Sequence, residues 1–188
     1  MREDHDVIKG SFLQALRLRP AQESDALCVH ALATQVFLDT YATSGIRPAL
    51  AREVEANFSM AAVRARLDES SLRITLAEHQ GHMIGFAEVG LGARHPLVAD
   101  PRSAEITRLY VQSPFLRRGV GKRLLAHSEA LALSEGASTL WLTSWVGNTR
   151  ALAFYESQGY KRLGSTDHVF EGEAIENRLF AKVLGDGA

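Results

Sequence analysis

The stretch VQSPFLRRGVGKRLLAHSEA, Val111 to Ala130, decides how the rest of the chain is read. Gly119 and Gly121 follow Arg117 and Arg118 and lead into a run with Val120, Leu124 and Leu131 at helical spacing. Just upstream, AEITRLYV alternates as a strand does. Ile106, Arg108 and Tyr110 share one face; Glu105, Thr107, Leu109 and Val111 share the other. Strand, glycine loop and helix in that order expose backbone N–H groups at the positive end of a helix dipole. Glycines let a ligand approach that backbone, and Arg117, Arg118, Lys122 and Arg123 add charge for phosphate oxygens. The stretch therefore anticipates a bound phosphate. Two kinds of phosphate loop fail on single letters. A Walker A loop needs glycine at Leu116 and Ser or Thr at Arg123, and a dinucleotide fingerprint needs glycine at Leu124.

The flanking sequence reads as a mixed α/β chain. LRLRP (Leu16 to Pro20) is a first strand, and Gln22 to about Tyr41 is a helix with Ala26, Val29, Ala33 and Val36 on its stripe. Helices follow at Pro48 to Asn57 and Met60 to Asp68, the latter capped by Ser59. LRITLAEH and HMIGFAEVGL form a hairpin about Gln80 and Gly81, and GARHPLVADPRS is a loop. The glycine-started helix stops at Gly136, and STLWLTSW reads as a strand buried on both faces. Asn148 caps a helix that Gly159 ends, and two last strands span about Tyr160 to Thr166 and Ile175 to Val183. The order is βααα-βββ-α-β-α-ββ around one central sheet.

Composition narrows the classes. With 188 residues, 46% hydrophobic and 23% charged, the chain is of ordinary globular make-up and expected to form one domain. That domain is placed at 14–184, between a flexible segment 1–13 and a tail 185–188. Met1 to about Gly10 is the part expected to be loosest. A net charge of -1 gives no global attraction to nucleic acid or an anionic membrane. Cys28 is a lone thiol, so there is no internal disulfide and no C-x-x-C site. No signal peptide or membrane span is read, and cytoplasmic residence is expected. HQGH (His79 to His82) sits on a tight turn without other ligand-type residues, so no metal is expected.

Downstream, NTRALAFYESQGYKRLG begins 27 residues after Gly121. Its Asn148 and Tyr155 are seven residues apart, about 10 Å along a helix and on nearly one face. The glycine loop resembles the Q/R-x-x-G-x-G/A loop of the GCN5-related N-acetyltransferases, with Leu116 where Gln or Arg is usual. The second segment is similar to their N-x-x-A-x-x-F-Y-x-x-x-G-F/Y. The likeness runs over roughly Leu16 to Leu184.

That resemblance implies a GNAT fold, α/β, with a mixed, mostly antiparallel sheet of about seven strands, splayed between the fourth and fifth and flanked by helices. It implies acetyl-CoA as co-substrate, its pyrophosphate held by Arg117, Arg118, Gly119, Val120, Gly121 and Lys122. Backbone amides near Leu109, Tyr110 and Val111 would bond the acyl arm, and Asn148 would contact the pantetheine. Tyr155 would be the acid that protonates the departing thiolate, unless it is only a core aromatic with a satisfied hydroxyl. Glu105 would be the base, unless it is merely salt-bridged or solvent-facing, with Glu88 as fallback.

The acceptor is expected to be a small-molecule primary amine. FLDTYATSG, WLTSWVGN and HVFEGEAIENRLFAKVL look like bacterial polyamine acetyltransferases, for which Asp39, Glu53 and Glu55 could supply carboxylates, with Tyr41 and Glu88 near the substrate. Peptide amines, amino acids and antibiotic amines stay open, as do a non-catalytic CoA-binding module and a homodimer.

Overall fold

The first strand already shows how the sheet is assembled. In β1 (Leu16–Pro20) Leu16 is buried, and the strand pairs antiparallel with β2 (Leu72–His79), Leu16 opposite His79 and Pro20 opposite Thr75. The structure, a computed structural model, describes residues 11–170 and 173–185. Between β1 and β2 come α1 (Ala26–Tyr41), α2 (Pro48–Phe58) and α3 (Met60–Asp68). Then follow β3 (His82–Leu91), β4 (Ser103–Val111), α4 (Val120–Ser134), β5 (Thr139–Trp145), α5 (Thr149–Ser157), β6 (Lys161–Phe170) and β7 (Glu173–Val183). The seven strands form one mixed sheet in the order β1-β2-β3-β4-β5-β7-β6. Pairs β5–β7 and β6–β7 are antiparallel and β4–β5 is parallel.

Local chemistry accounts for the turns and caps. Gln80 and Gly81 both take left-handed φ, +52° and +79°, as a two-residue hairpin between β2 and β3 requires. The Ser59 hydroxyl accepts the Ala62 amide at 3.3 Å and starts α3, as the sequence indicates. Other readings shift by about one turn. Glu23–Asp25 form a 3-10 turn before α1, and the buried stripe of α1 runs through Ala26, Val29, Leu32, Ala33 and Phe37. Val36, expected on that stripe, is only half-buried, since Phe37 turns inward onto Phe58 at 5.3 Å. In α4 the buried positions are Val120, Leu124, Leu125, Ser128 and Ala132; Leu131 is half-buried. Residues 1–10 and 186–188, expected to be loose, lie outside the described residues. Residues 11–13, assigned by sequence to the leading segment, belong to a helical turn that packs into the core, with Phe12 4% exposed.

The chain divides into two compact units. One comprises residues up to Glu88 with Arg108–Ala126, the other Val89–Thr107 with residues from His127 onward. In the first, Phe12, Leu16, Ala77, Ile84, Ala87, Val120 and Leu124 form a core against which Leu109 and Val111 pack. In the second, Trp141 packs with Val98, Leu179 and Ala181, and its indole N–H donates to the Ala93 carbonyl at 3.2 Å. The β4–β5 ladder is short. It pairs Ser103, Ala104 and Glu105 with Thr139, Leu140 and Trp141, and then stops, although both strands run on.

Asp100 secures the start of that ladder. Its Oδ2 accepts the hydroxyls of Ser138 and Thr139, each at 2.7 Å, and its Oδ1 accepts the Arg102 amide at 2.9 Å. The Thr139 and Ser138 hydroxyls, then the Arg102 amide, hold this carboxyl below the ordinary aspartate value. A depressed native pKa contributes stability above the unfolded-state value, about 3.9, and that contribution fades as pH falls through the lower native value. Asp100→Asn should therefore lower the urea midpoint at pH 7, and the gap to wild type should shrink by pH 2. A gap that is constant or widens on acidification contradicts this account.

Candidate functional site

In the first unit the candidate site is the turn between β4 and α4. Ser113–Phe115 form a 3-10 turn, Leu116 is extended, and residues 116–119 turn into the helix. Arg117 takes φ +59° and Gly119 φ +88°, both left-handed. For an arginine this conformation costs about 1–2 kcal/mol, so the surrounding fold imposes it. The first amide bonded into α4 is that of Arg123, which donates to the Gly119 carbonyl at 3.1 Å. By helix geometry the amides of Val120, Gly121 and Lys122 have no carbonyl within the helix to donate to. They form a set of donors at the positive end of the dipole, suited to an anion.

The four basic residues there divide into two pairs, which the sequence could not show. The Arg118 guanidinium lies 3.7 Å from the centre of the Phe12 ring, which on another side stacks on His79 at 4.3 Å. Arg123 Nη1 donates to the Leu13 carbonyl at 2.5 Å, and a Cβ at Gly119 would meet the Leu13 methyls at 3.2 Å. The turn at 11–14 thus braces the loop, using Arg118 and Arg123 to do so. Arg117 and Lys122 are exposed, as is Arg123, while Arg118 is half-buried. From α1, Asp39 accepts the Ser113 hydroxyl at 3.1 Å and the Gln35 side-chain oxygen accepts the Gln112 side-chain amide at 2.7 Å.

β4 reaches the loop at a close approach to β3. A Cβ at Gly85 would lie 2.6 Å from the Tyr110 carbonyl, and the Gln112 amide donates to the Ile84 carbonyl at 3.0 Å. Gly85 was missed in the sequence reading; a glycine inside a strand pattern was its signal. Leu109 and Val111 face the core with Val120 and Leu124, as the alternation required. Tyr110 turns to the opposite face, 5.4 Å from Phe86 and 6.3 Å from Phe58, and burial pushes its hydroxyl pKa well above the ordinary value.

That second face also holds an ion cluster. Glu88, 1% exposed, receives Arg108 Nη1 on Oε1, while Arg66 Nε lies 3.2 Å from Oε2. Both guanidiniums lie beside the Phe58 ring, at 6.0 Å for Arg66 and 5.5 Å for Arg108. Arg66 was not singled out by sequence, because its partner lies two elements away. The remaining sequence candidates are more peripheral. Glu53 accepts the Asn57 side-chain amide at 2.7 Å, and Tyr41 packs on Phe37 at 4.9 Å with 39% of its surface exposed.

In the second unit, Asn148 Oδ1 accepts the Ala151 amide at 3.1 Å and caps α5. Gly147 precedes it because Trp145 folds back there; a Cβ would meet the indole at 2.4 Å. Tyr155 is 8% exposed, its ring wedged among Phe154, Tyr160 and Phe180 at 5.2, 6.0 and 6.1 Å. Glu105 is half-buried at the last paired position of the β4–β5 ladder. Among the described residues no group of three or more His, Cys, Asp or Glu is placed to hold a metal ion. No helix among them is long and apolar enough to cross a membrane.

Comparison with known proteins gives this arrangement a context. The model of the acetyltransferase (GNAT) family matches residues 40–160. An uncharacterized N-acetyltransferase from the pepI 3' region of Lactobacillus delbrueckii subsp. lactis is 24% identical over 158 residues, covering 84% of this chain and 90% of that protein. An uncharacterized N-acetyltransferase of Mycobacterium tuberculosis is 31% identical over 123 residues, 63% of this chain and 74% of its own. Among solved structures, the PaiA N-acetyltransferase of Thermoplasma acidophilum in complex with coenzyme A superposes with a TM-score of 0.73 at 20% identity. That match covers 89% of this chain and 98% of that one.

The ion cluster yields a direct test. Removing the carboxylate leaves two partly buried guanidiniums without their shared partner, so Glu88→Ala should cost about 3–5 kcal/mol of stability by denaturant unfolding. A loss below about 1 kcal/mol contradicts the partnership described.

Proposed function

The chain belongs to the acetyltransferase (GNAT) family, and on that premise we propose that it moves the acetyl group of acetyl-CoA to a primary amine of a small molecule, by direct attack in a ternary complex. The observation that carries this reading is the start of α4. There Gly119 is left-handed, the first helical bond is made by Arg123, and the amides of Val120, Gly121 and Lys122 have no carbonyl within the helix to donate to. This donor set fits a pyrophosphate. Arg117 and Lys122 add charge at its edge, while Arg118 and Arg123 shape the loop from behind. Because backbone carries the cradle, Leu116 in place of Gln or Arg is compatible with it.

Acetyl-CoA supplies an activated acyl carbon and a thiolate leaving group. In this reading the amides of Leu109 to Val111 align the acyl arm, and one directed at the thioester oxygen stabilises the charge that develops when the amine attacks. Glu105 takes the proton that the amine nitrogen sheds, directly or through water. Tyr155 donates its phenolic proton to sulfur as the carbon–sulfur bond breaks. Glu88 is the weaker choice of base, because its oxygens are engaged by Arg66 and Arg108. Asn148 uses Oδ1 to cap α5, so its pantetheine contact falls to Nδ2. The aromatic packing around Tyr155 suits an acid held in one orientation.

For a polyamine-like acceptor the available carboxylates are Asp39, Glu53 and the exposed Glu55. The first two already accept hydrogen bonds from Ser113 and Asn57. Amine-dependent release of CoA across a panel of small amines and short peptides separates a small-molecule enzyme from a peptide-directed one. It also separates both from a module that only binds CoA.

The acid role is tested by Tyr155→Phe. General acid catalysis contributes about 10²–10⁴-fold, so kcat should fall about a hundredfold or more. Calorimetric affinity for acetyl-CoA should stay within about twofold of wild type, since no pyrophosphate contact is altered. Full retention of turnover removes Tyr155 from this role.

A further inference from the structure

The Arg66–Glu88–Arg108 cluster has an excess of positive charge among the described residues: two guanidiniums meet over one carboxylate. We infer that the acceptor is an amine that itself carries a carboxylate, of the amino-acid class, and that Arg66 and Arg108 hold this carboxylate; the inference rests on the acetyl-transfer reading above.

The geometry distinguishes the three side chains. Glu88 is sealed, with 2% of its side chain exposed, so it cannot offer itself to an incoming cation. The two arginine side chains retain 17% and 16%, so neither is sealed as Glu88 is. A guanidinium has five N–H donors in a planar fork, and Glu88 approaches Arg66 at Nε and Arg108 at Nη1, fewer positions than the two forks offer. The remaining edges match the two-pronged geometry of a second carboxylate. Arg66 is held below its ordinary pKa first by burial and then by the like charge of Arg108, which Glu88 only partly offsets. An arriving anion relieves that repulsion, whereas a polycation adds to it.

The surroundings place this charge beside the backbone proposed to align the acyl arm. Arg108 shares a strand face with Tyr110, whose neighbouring backbone is assigned to the acyl arm. Phe58 lies against both guanidiniums and against Phe37 and Tyr110, and Phe37 in turn touches Tyr41. His30 fixes the Phe58 end of α2 by donating Nδ1–H to the Phe58 carbonyl at 2.5 Å. An aromatic wall ending in two arginines suits a small acid with an apolar or extended body.

The test uses matched amines that differ only in the carboxylate: lysine against cadaverine, and phenylalanine against phenethylamine, with spermidine alongside. With acetyl-CoA and CoA release as readout, kcat/KM should be at least tenfold higher for the carboxylated member. Arg66→Gln should bring that ratio towards one, mainly through KM, and Arg66→Lys should restore part of it. Arg66 is the variant of choice because Glu88 keeps Arg108 when it is changed; Arg108→Gln is the second. Decarboxylated amines that react equally well or better overturn the inference, as does an unchanged ratio in Arg66→Gln. Should acetyl-CoA bind while no amine is acetylated, the acetyl-transfer reading fails separately. Calorimetric titration of the same pairs in the presence of CoA then decides. Carboxylate-selective binding lost in Arg66→Gln supports the inference, and equal or absent binding overturns it.

Discussion

Strand β4 places opposite demands on alternate side chains, and the first unit is built around that alternation. Leu109 and Val111 turn to the core containing Val120 and Leu124, which fixes where α4 begins. Arg108 and Tyr110 turn the other way, to Phe58, Phe86 and Glu88. A slip of one residue would exchange the two sets, burying a guanidinium beside α4 and exposing the leucine. Gly85 allows the end of β4 to lie so close to β3, since any Cβ would strike the Tyr110 carbonyl. Backbone position and side-chain chemistry are thereby set by one strand.

The loop after β4 holds a strained conformation that the rest of the unit must offset. Arg117 sits in a left-handed conformation that costs an L-residue about 1–2 kcal/mol. The offset comes from outside the loop: Phe12 under Arg118, the Leu13 carbonyl on Arg123, and the Leu13 side chain against Gly119. A cation over an aromatic ring contributes about 0.5–2 kcal/mol, comparable to the strain. Residues close to the amino terminus therefore support a loop more than a hundred positions away.

What the sequence made legible was mostly local. Hydrophobic alternation located the strands, and the left-handed turn at Gln80–Gly81 and the caps at Ser59 and Asn148 followed from residue type over a few positions. The glycines of the turn before α4 were readable for the same reason, and the element order came out as expected. Long-range pairings were not. Nothing near Phe12 announces Arg118, and nothing near Glu88 announces Arg66, because each pair is joined by tertiary packing. The choice of Phe37 over Val36 for the inner face of α1 likewise goes with Phe58, from another helix. Charge counting along the sequence pointed to acids on α1 and α2, whereas the buried carboxylate of Glu88 is met by two half-buried arginines.

The central claim is that the amides of Val120, Gly121 and Lys122 hold the pyrophosphate of acetyl-CoA. Residue-resolved amide hydrogen exchange with and without CoA measures those three groups directly. The account predicts that saturating CoA slows their exchange while pantetheine, which lacks the pyrophosphate, leaves it unchanged. Unaltered exchange at these amides under saturating CoA contradicts it.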